Sequence, residues 1–238
     1  MVQTGSELYS SHALEYAKAI QDNVYNALFE RPSTQALLPE NLKGLKILDA
    51  GCGPGAYTSE FLRKGADVTA VDLSEAMVDI VRKTLGAKVD CYVHDLTTPL
   101  VQEKSQSFDL IVCPVTIHYI EKLKLFYTEM YRLLKPGSHF VFSTHHPFVD
   151  WTHSVNKNYF EQEKLTQSWN TVGKETEVTF YRRPLEKLLN PALAVGFQLS
   201  YLSESGTPSQ KIEQIDESRW KHLKTNPQFL FVKLTRPE

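Results

Sequence analysis

The chain has 238 residues, 42% of them hydrophobic and 11% aromatic, which is enough to bury the core of one large domain. Its formal net charge of -2 at pH 7 leaves no cationic excess for nucleic-acid phosphates, so nucleic acid is not expected as a partner. No apolar run approaches the roughly 18 residues of a membrane span and no secretory signal begins the chain, so we expect a soluble cytoplasmic protein that binds no membrane.

Short apolar runs alternate with segments of helical periodicity. Residues 1–40 predict a helical cap of one or two amphipathic helices, closed by Pro32. A core at 45–144 follows, in which capped or glycine-terminated segments predict helices at 56–65, 74–86 and 121–137. The strands predicted in this core are 45–50, 67–71, 88–93, 108–113 and 139–143. Strands that alternate with helices favour a parallel sheet with helices on both faces, an α/β fold.

The sequence changes character after the fifth predicted strand. Residues 147–181 are polar and irregular in pattern but rich in aromatic side chains. A long segment with little regular structure is often functional, and this one predicts a lid that closes with the N-terminal helices over a substrate. An ordinary surface insertion is the alternative. Residues 184–238 predict a helix and two strands, at 197–204 and 228–235, and no linker divides the 238 residues into two domains.

The three cysteines, Cys52, Cys91 and Cys113, are an odd number and lie in or beside apolar runs. They are expected to be reduced thiols rather than a disulfide framework. A reactive thiol at Cys52 is the alternative, because this residue lies close to a predicted helix start, where a thiolate is favoured.

The stretch LDAGCGPGA places Gly51, Gly53 and Gly55 between the first strand and the first core helix. Such a loop brings backbone N–H groups and a helix N-terminus against a ligand, because Cβ atoms at these positions would keep the ligand away. A nucleotide-like cofactor is therefore predicted. The spacing also fits the permissive dinucleotide pattern, which leaves a hydride-transferring oxidoreductase open.

Carboxylates at three successive strand ends separate the cofactor classes. Asp49 lies inside the first strand, where a buried carboxylate is costly unless it binds a cation or accepts N–H bonds, and a pyrophosphate would be repelled. Asp72 is placed to accept both ribose hydroxyls of an adenosine, and Asp95 a hydrogen bond from an exocyclic amine. An acidic crevice of this kind suits a cofactor with positive charge and no phosphates, as S-adenosylmethionine is.

Four motifs in order resemble those of the class I S-adenosylmethionine-dependent methyltransferases, in particular the small-molecule group that includes the ubiquinone and menaquinone biosynthesis enzymes. They are ILDAGCGPGAYTSEFL, VTAVDLSEAMV, FDLIVCPVTIHYI and LLKPGSHFVFST. The resemblance implies a Rossmann-like, doubly wound sheet of seven strands whose last strand, here 228–235, is antiparallel. One departure is Ser138, where family members usually have a second glycine.

The resemblance also implies a cofactor site. Gly51 and Gly53 are expected at the methionyl part, Asp72 at the ribose, Asp95 at the adenine amine, and Asp49 at the ammonium group. The glycine loop, the strand ends and the leading helix, which closes over the cofactor in related enzymes, give the full expected set. Its members are Tyr16, Tyr25, Arg31, Asp49, Ala50, Gly51, Cys52, Gly53, Asp72, Leu73, Met77, Asp95, Leu96 and Pro114.

Methyl transfer needs in-line approach and exclusion of water, plus a base if the nucleophile begins protonated. The candidate catalytic bases are His118, after the fourth strand, and His145 and His146, after the fifth. Packing against the next helix is the alternative for His118. Successive residues point in opposite directions, so only one of the adjacent pair is expected to face the cleft. Together with His153 this pair does not predict a metal site, because adjacent histidines rarely share one ion.

Substrate contacts are expected from Tyr9 on the leading helix and from the lid residues Tyr159, Trp169, Tyr181 and Arg182. Either Arg182 or its neighbour Arg183 is a candidate partner for an anionic substrate group, against the alternative of ordinary surface arginines.

The function predicted is S-adenosylmethionine-dependent methyl transfer to N, O, S or C of a small organic acceptor. The first alternative is an oxidoreductase, which is disfavoured by Asp49 and by the lack of a separate catalytic domain. The second is a cofactor-binding protein with little turnover that acts through a partner. The third is a protein or nucleic-acid methyltransferase. The last is disfavoured by the missing basic stripe and by CPVTIHYI where amino-methylating nucleic-acid enzymes have an Asn-Pro-Pro-Tyr type motif. Neither the acceptor nor the oligomeric state is predicted.

Overall fold

The computed structural model describes residues 7–238. The strands of this range are β1 (Lys46–Ala50), β2 (Asp67–Asp72), β3 (Asp90–Val93), β4 (Phe108–Cys113), β5 (Leu134–His145), β6 (Glu163–Trp169), β7 (Thr176–Arg182), β8 (Gln198–Ser203) and β9 (Phe229–Thr235). Its α-helices are α1 (Ala13–Ala19), α2 (Arg31–Gln35), α3 (Ala56–Arg63), α4 (Glu75–Leu85), α5 (Leu123–Leu133), α6 (Pro147–Thr152), α7 (Leu185–Val195), α8 (Lys211–Ile215) and α9 (Glu217–Thr225). A π-helix spans Val24–Glu30, and 3-10 turns span Glu7–Tyr9, Gly86–Lys88 and Ile117–Tyr119.

The central sheet has seven strands in the order β3-β2-β1-β4-β5-β9-β8. The strands β1 to β5 pair in parallel, and β9 runs antiparallel to both β5 and β8. This confirms the doubly wound sheet with a reversed last strand. The order changes direction between β1 and β4, and ligands of open parallel sheets bind at such a switch point, beyond the carboxyl ends of the strands.

The core elements form where apolar runs and caps predict them. Strand β1 is buried on both faces, from Ile47 to Ala50, as expected for a central parallel strand covered by helices. Ser74 caps α4, since its hydroxyl accepts a hydrogen bond from Met77 N at 3.3 Å. The fifth strand begins earlier than predicted, at Leu134, because the chain pairs Leu134 with Phe108 before a register shift.

Two expectations about segments outside the core at 45–144 are wrong. Pro32 does not close the N-terminal helical run but lies in the first turn of α2, where its missing N–H is tolerated. The segment 147–181 is not irregular, since α6 is followed by the antiparallel hairpin of β6 and β7. Leu165, Val178 and Phe180 are the buried side of that hairpin, a period-two pattern hidden among polar residues. Within residues 7–238, no helix is long and apolar enough to cross a bilayer.

Candidate functional site

A cavity of about 740 Å³ lies at the carboxyl ends of the central strands. This volume falls within the range of small-molecule and cofactor sites, roughly 300–1,000 Å³. Its lining includes the glycine loop, Asp72 and the start of α4, and residues 94–97 after β3. The lining also includes residues 119–122 and the hairpin, which contributes Lys164, Glu177 and Thr179. The hairpin thus forms part of the cavity wall.

The glycine loop provides space rather than N–H donors. The N–H groups of Gly51 and Cys52 donate to Val71 O at 2.8 and 2.9 Å, and Gly55 N donates to Cys52 O at 3.0 Å. Gly53 N donates to the carboxylate of Asp72 at 2.8 Å. The expectation that these N–H groups face the ligand is therefore wrong, and a phosphate would find these donors already occupied.

Two glycines of the loop are required for different reasons. Gly51 has φ 82°, and a Cβ there would overlap the side chain of Thr116, which follows β4. Gly53 has φ 52°, lines the cavity, and a Cβ on it would meet no atom within 4 Å. Gly51 therefore lets two strand ends approach each other, and Gly53 keeps the cavity open.

The carboxylate of Asp72 is fixed at the cavity wall by two backbone donors. Its Oδ2 accepts from Gly53 N and its Oδ1 from Ser74 N, each at 2.8 Å. Burial raises the pKa of Asp72, and the backbone N–H groups oppose that rise. Each oxygen keeps a lone pair for a ligand donor, so the geometry fits a vicinal diol.

Two further carboxylates lie beside Asp72. Asp49 is fully buried and does not line the cavity: Thr58 donates to its Oδ2 at 2.6 Å, and its Oδ1 has no partner. Burial raises the pKa of Asp49 to about 7. Glu30 does line the cavity and accepts from Ser143 Oγ at 2.6 Å, and burial raises its pKa as well.

Glu30 is a site residue that the sequence analysis missed. Its carboxylate also accepts from Thr34 at 2.8 Å and from Tyr57 at 3.0 Å. The sequence signal that could have identified Glu30 is an acidic residue on the buried side of an amphipathic helical pattern. Next to it, Arg31 donates to Ile20 O at 3.0 Å, and its buried Nε has no partner. Glu30 and Asp72 on the cavity wall and Asp49 buried beside them outnumber the one guanidinium of Arg31, which favours a cationic ligand.

Most residues predicted at the cofactor line this cavity. They are Tyr16, Arg31, Gly51, Cys52, Gly53, Asp72, Leu73, Met77, Asp95, Leu96 and Pro114. Three others do not: Asp49 and Ala50 are fully buried in β1, and Tyr25 lies outside, where its ring is 5.6 Å from the guanidinium of Arg219. Tyr25 is exposed because it lies on the outer side of the π-helix.

The three histidines do not line the cavity. His118 is buried, 4% exposed, with its ring stacked on that of His145 at 4.0 Å. Burial holds the pKa of His118 well below its usual value. His145 is held by Asp150, whose Oδ1 is 3.4 Å from Nδ1. His146 caps α6: its Nδ1 accepts from Phe148 N at 3.2 Å and its Nε2 lies 2.8 Å from Glu204.

The expectation of a catalytic histidine at this cavity is therefore wrong in geometry. Tyr119, which follows His118, lines the cavity instead. Its hydroxyl lies 2.7 Å from that of Tyr9, and the rings of Tyr9 and Tyr16 are 5.0 Å apart. Burial raises the pKa of all three phenols, so they remain protonated hydrogen-bonding groups at neutral pH. Tyr9 was predicted at the substrate, and Tyr119 was missed because its neighbour is a histidine.

The other predicted substrate residues lie away from the cavity. Tyr159 accepts from Leu185 N at 3.4 Å, and Trp169 packs 5.5 Å from the ring of His145. Tyr181 is only partly buried and does not line the cavity. Arg182 is fully buried and pairs with Glu163 at 3.1 Å, so its predicted substrate contact is wrong. These residues hold the hairpin and the loop before it in place.

The cysteines are all free and buried. A hydrogen bond with Cys91, together with burial, raises the pKa of Cys52 well above its usual value, which disfavours the reactive-thiolate alternative. Across the described part of the chain, no group of three His, Cys, Asp or Glu side chains is placed to hold a metal ion.

Comparisons with known proteins agree with this geometry. Residues 48–142 match the family described as "Methyltransferase domain". A structure of an S-adenosylmethionine-dependent methyltransferase from Mesorhizobium loti is 25% identical, with a TM-score of 0.69 over 87% of this chain and 97% of that one. An uncharacterized protein of Haemophilus influenzae is 27% identical over 90% of this chain and 89% of its own length.

A ubiquinone biosynthesis O-methyltransferase of Sinorhizobium fredii is 32% identical over 100 residues, which are 42% of this chain and 40% of that protein. The match to this relative thus spans less than half of its length. The matched domain, the sheet order and the carboxylate-lined cavity point to the same cofactor. The chain therefore carries a methyltransferase domain at residues 48–142 and is similar to S-adenosylmethionine-dependent methyltransferases.

Proposed function

We propose that this chain transfers the methyl group of S-adenosylmethionine to N, O, S or C of a small organic acceptor. The observation that carries the proposal is a cavity lined both by the cofactor motifs and by a group of tyrosines and the hairpin. When bound, the cofactor supplies an electrophilic sulfonium methyl. The acceptor's nucleophile would form a bond to that carbon as the carbon–sulfur bond breaks, which would leave S-adenosylhomocysteine.

In this proposal, four residues of the cavity wall hold the adenosine part of the cofactor. Asp72 accepts the ribose hydroxyls through its remaining lone pairs. Met77 and Leu73 flank the adenine ring, and Asp95 accepts from its amine. The negative charges of Glu30, Asp72 and the buried Asp49 favour the cationic groups of the cofactor over a phosphate.

At the acceptor end, the protein positions the nucleophile and excludes water. The hydroxyls of Tyr9 and Tyr119 are 2.7 Å apart and offer a fixed hydrogen-bonding pair at the cavity wall. Because both phenols stay protonated, the chain's contribution is orientation and desolvation rather than proton abstraction by a tyrosinate. With a net charge of -2, a free small molecule in the cytoplasm is a better acceptor than nucleic acid.

The first test is calorimetric titration of the purified protein with S-adenosylhomocysteine and, separately, with NADH. Binding of S-adenosylhomocysteine alone, followed by its release during incubation with S-adenosylmethionine and a panel of small acceptors, supports the proposal. Binding of NADH alone would overturn it, and cofactor binding without turnover on any acceptor class would favour a protein that acts through a partner.

Asp72→Asn should weaken S-adenosylhomocysteine binding by roughly 1.5–3 kcal/mol, because the charged acceptor of the ribose hydroxyls and of Gly53 N is lost. Asp67→Asn is the matched control, since Asp67 is exposed at the opposite end of the same strand. Calorimetric affinities of the two variants test whether Asp72 contributes to binding, and circular dichroism checks that both are folded. Equal affinities would remove Asp72 from the proposed site.

Tyr119→Phe should lower kcat/KM for the acceptor roughly fivefold, which corresponds to about 1 kcal/mol of transition-state stabilisation. The affinity for S-adenosylhomocysteine should stay near that of wild type. The substitution removes one hydroxyl of the Tyr9–Tyr119 pair and preserves the ring. Tyr131→Phe, on α5 against Phe197 and away from the cavity, is the control. A loss of cofactor affinity without a change in turnover would place Tyr119 at the wrong end of the cavity.

A further inference from the structure

Arg183 follows β7 directly and carries an unmatched buried charge. The residue is only 4% exposed, and its Nη2 donates to Ile120 O at 2.6 Å. Its Nε and Nη1 are buried and have no hydrogen-bond partner. Among residues 7–238, no carboxylate lies within ion-pairing distance of this guanidinium.

Burial lowers the pKa of Arg183 to about 10, although Asp150 and Glu121 act in the opposite direction at longer range. The guanidinium therefore remains charged at neutral pH. A buried charge with unmet donors is costly unless a partner of opposite charge binds to it.

The adjacent Arg182 shows how this fold pairs a structural arginine. Arg182 is equally buried, but its Nε donates to Glu163 at 3.1 Å and its other nitrogens donate to Tyr159 O and Asn158 O. The two successive arginines thus differ in their partners: Arg182 forms an ion pair with a carboxylate of the chain, and Arg183 does not. A purely structural role accounts for the first and leaves the second unexplained.

Arg183 does not itself line the cavity, and its guanidinium lies behind the wall at Ile120. Ile120, whose carbonyl accepts its hydrogen bond, lines the cavity, and so does Glu121. His118 is close enough for the charge of Arg183 to lower its pKa, and the Nε2 of His118 is likewise buried without a partner. When Thr144 donates to Nδ1 of His118, over 3.4 Å, Nε2 carries the proton and is a second unmet donor.

The charge of the cavity changes from one end to the other. Glu30, Asp72 and Asp49 make the cofactor end acidic. Lys122, Lys164, Glu121 and Glu177 line the other part of the cavity, and the buried guanidinium of Arg183 behind it has two nitrogens without a hydrogen-bond partner. An acceptor with an anionic group is repelled from the first end and attracted to the second, which orients its remaining part toward the cofactor.

We propose that Arg183, behind the cavity wall at Ile120, binds an oxyanion on the methyl acceptor, a carboxylate or a phosphate monoester. This inference rests on the proposed function and narrows its acceptor class to anionic molecules. Guanidinium groups bind both oxyanions through charge-assisted hydrogen bonds, so the chemistry is shared and the experiment separates the two.

The test uses S-adenosylhomocysteine-saturated protein and three aromatic probes in calorimetric titrations at constant ionic strength: benzoate, phenyl phosphate and the neutral benzamide. At least one anion should bind the wild type more tightly than benzamide does. Arg183→Met should weaken that binding by roughly ten- to a hundredfold, and Arg183→Lys should retain part of it. Lys187→Met, an exposed lysine four residues along the chain, is the charge-matched control and should bind as wild type.

Folding and the proposed function are checked with the same samples. Arg183→Met should bind S-adenosylhomocysteine within about twofold of wild type, because the guanidinium does not line the cofactor end. Anion binding unchanged in Arg183→Met, or no preference of the wild type for either anion over benzamide, overturns this inference alone. Failure of the wild type to bind S-adenosylhomocysteine overturns the proposed function instead.

Discussion

Wild-type protein should lose about 3 kcal/mol of stability between pH 4 and pH 7 through one carboxyl group, and Asp49→Asn should abolish that loss. Burial raises the pKa of Asp49 to about 7 in the folded chain, against roughly 3.9 when unfolded. Between these values the folded protein holds a proton that the unfolded chain has released. Raising the pH therefore favours unfolding, by about 1.4 kcal/mol per pH unit across this window.

The measurement is urea unfolding of wild type and Asp49→Asn from pH 4 to pH 8. The free energy of unfolding of the variant minus that of wild type should rise through the window and level off above pH 7. Comparing slopes removes the constant effect of burying a side-chain amide in place of a carboxyl group at this position. Asp90→Asn, at an exposed position of β3, is the control. Parallel curves for wild type and Asp49→Asn would show that Asp49 ionises normally.

Cofactor binding should draw on the same proton. An ammonium group bound near Asp49 favours its ionised form, so S-adenosylhomocysteine binding at about pH 6 should release protons from wild type. Calorimetry in two buffers of different ionisation enthalpy measures that release. The part that disappears in Asp49→Asn belongs to Asp49, and the remainder belongs to Asp72 and Glu30, whose pKa values are also raised.

Gly51→Ala should destabilise the protein by roughly 2–5 kcal/mol. At φ 82° an alanine costs about 1–2 kcal/mol in backbone strain, and its Cβ overlaps Thr116 between two central strand ends, which adds roughly 1–3 kcal/mol of overpacking. Gly53→Ala is the matched comparison, since its backbone is also left-handed but a Cβ there meets no protein atom within 4 Å.

The two glycine variants should therefore separate stability from binding. Urea unfolding should show the larger loss in Gly51→Ala, and titration with S-adenosylhomocysteine should show that Gly53→Ala, though better folded, loses affinity because its methyl group projects into the cavity. Equal losses of stability in both variants would mean that Thr116 moves aside without cost.

The cofactor half of the fold is readable from sequence because its signals are local. A buried strand, a glycine loop and the Ser74 cap lie within neighbouring residues, and Asp72 ends the next predicted strand. The role of the loop was still misjudged. Which oxygen accepts an N–H of Gly51 depends on β2, whose Val71 carbonyl reaches that donor only in the folded sheet.

The acceptor half depends on contacts between distant parts of the chain, so its residues were predicted less well. His118 and His146 have the chemistry of a base, but packing against His145 and capping of α6 decide where they point. Glu30 reaches the cavity through its bond with Ser143, 113 residues along the chain. A local pattern can place Glu30 on the buried side of its helix, but it does not identify Ser143 as its partner.

The hairpin of β6 and β7 gives this fold a separable part. Its strands pair with each other and take no place in the seven-strand order of the central sheet. It nevertheless lines the cavity through Lys164, Glu177 and Thr179. Changes in its length or sequence leave the hydrogen bonds between the strands of the central sheet intact. Under the proposed function, evolution can therefore alter the acceptor preference while the cofactor half stays constant. A hairpin grafted from a relative is expected to bring that relative's acceptor preference with it.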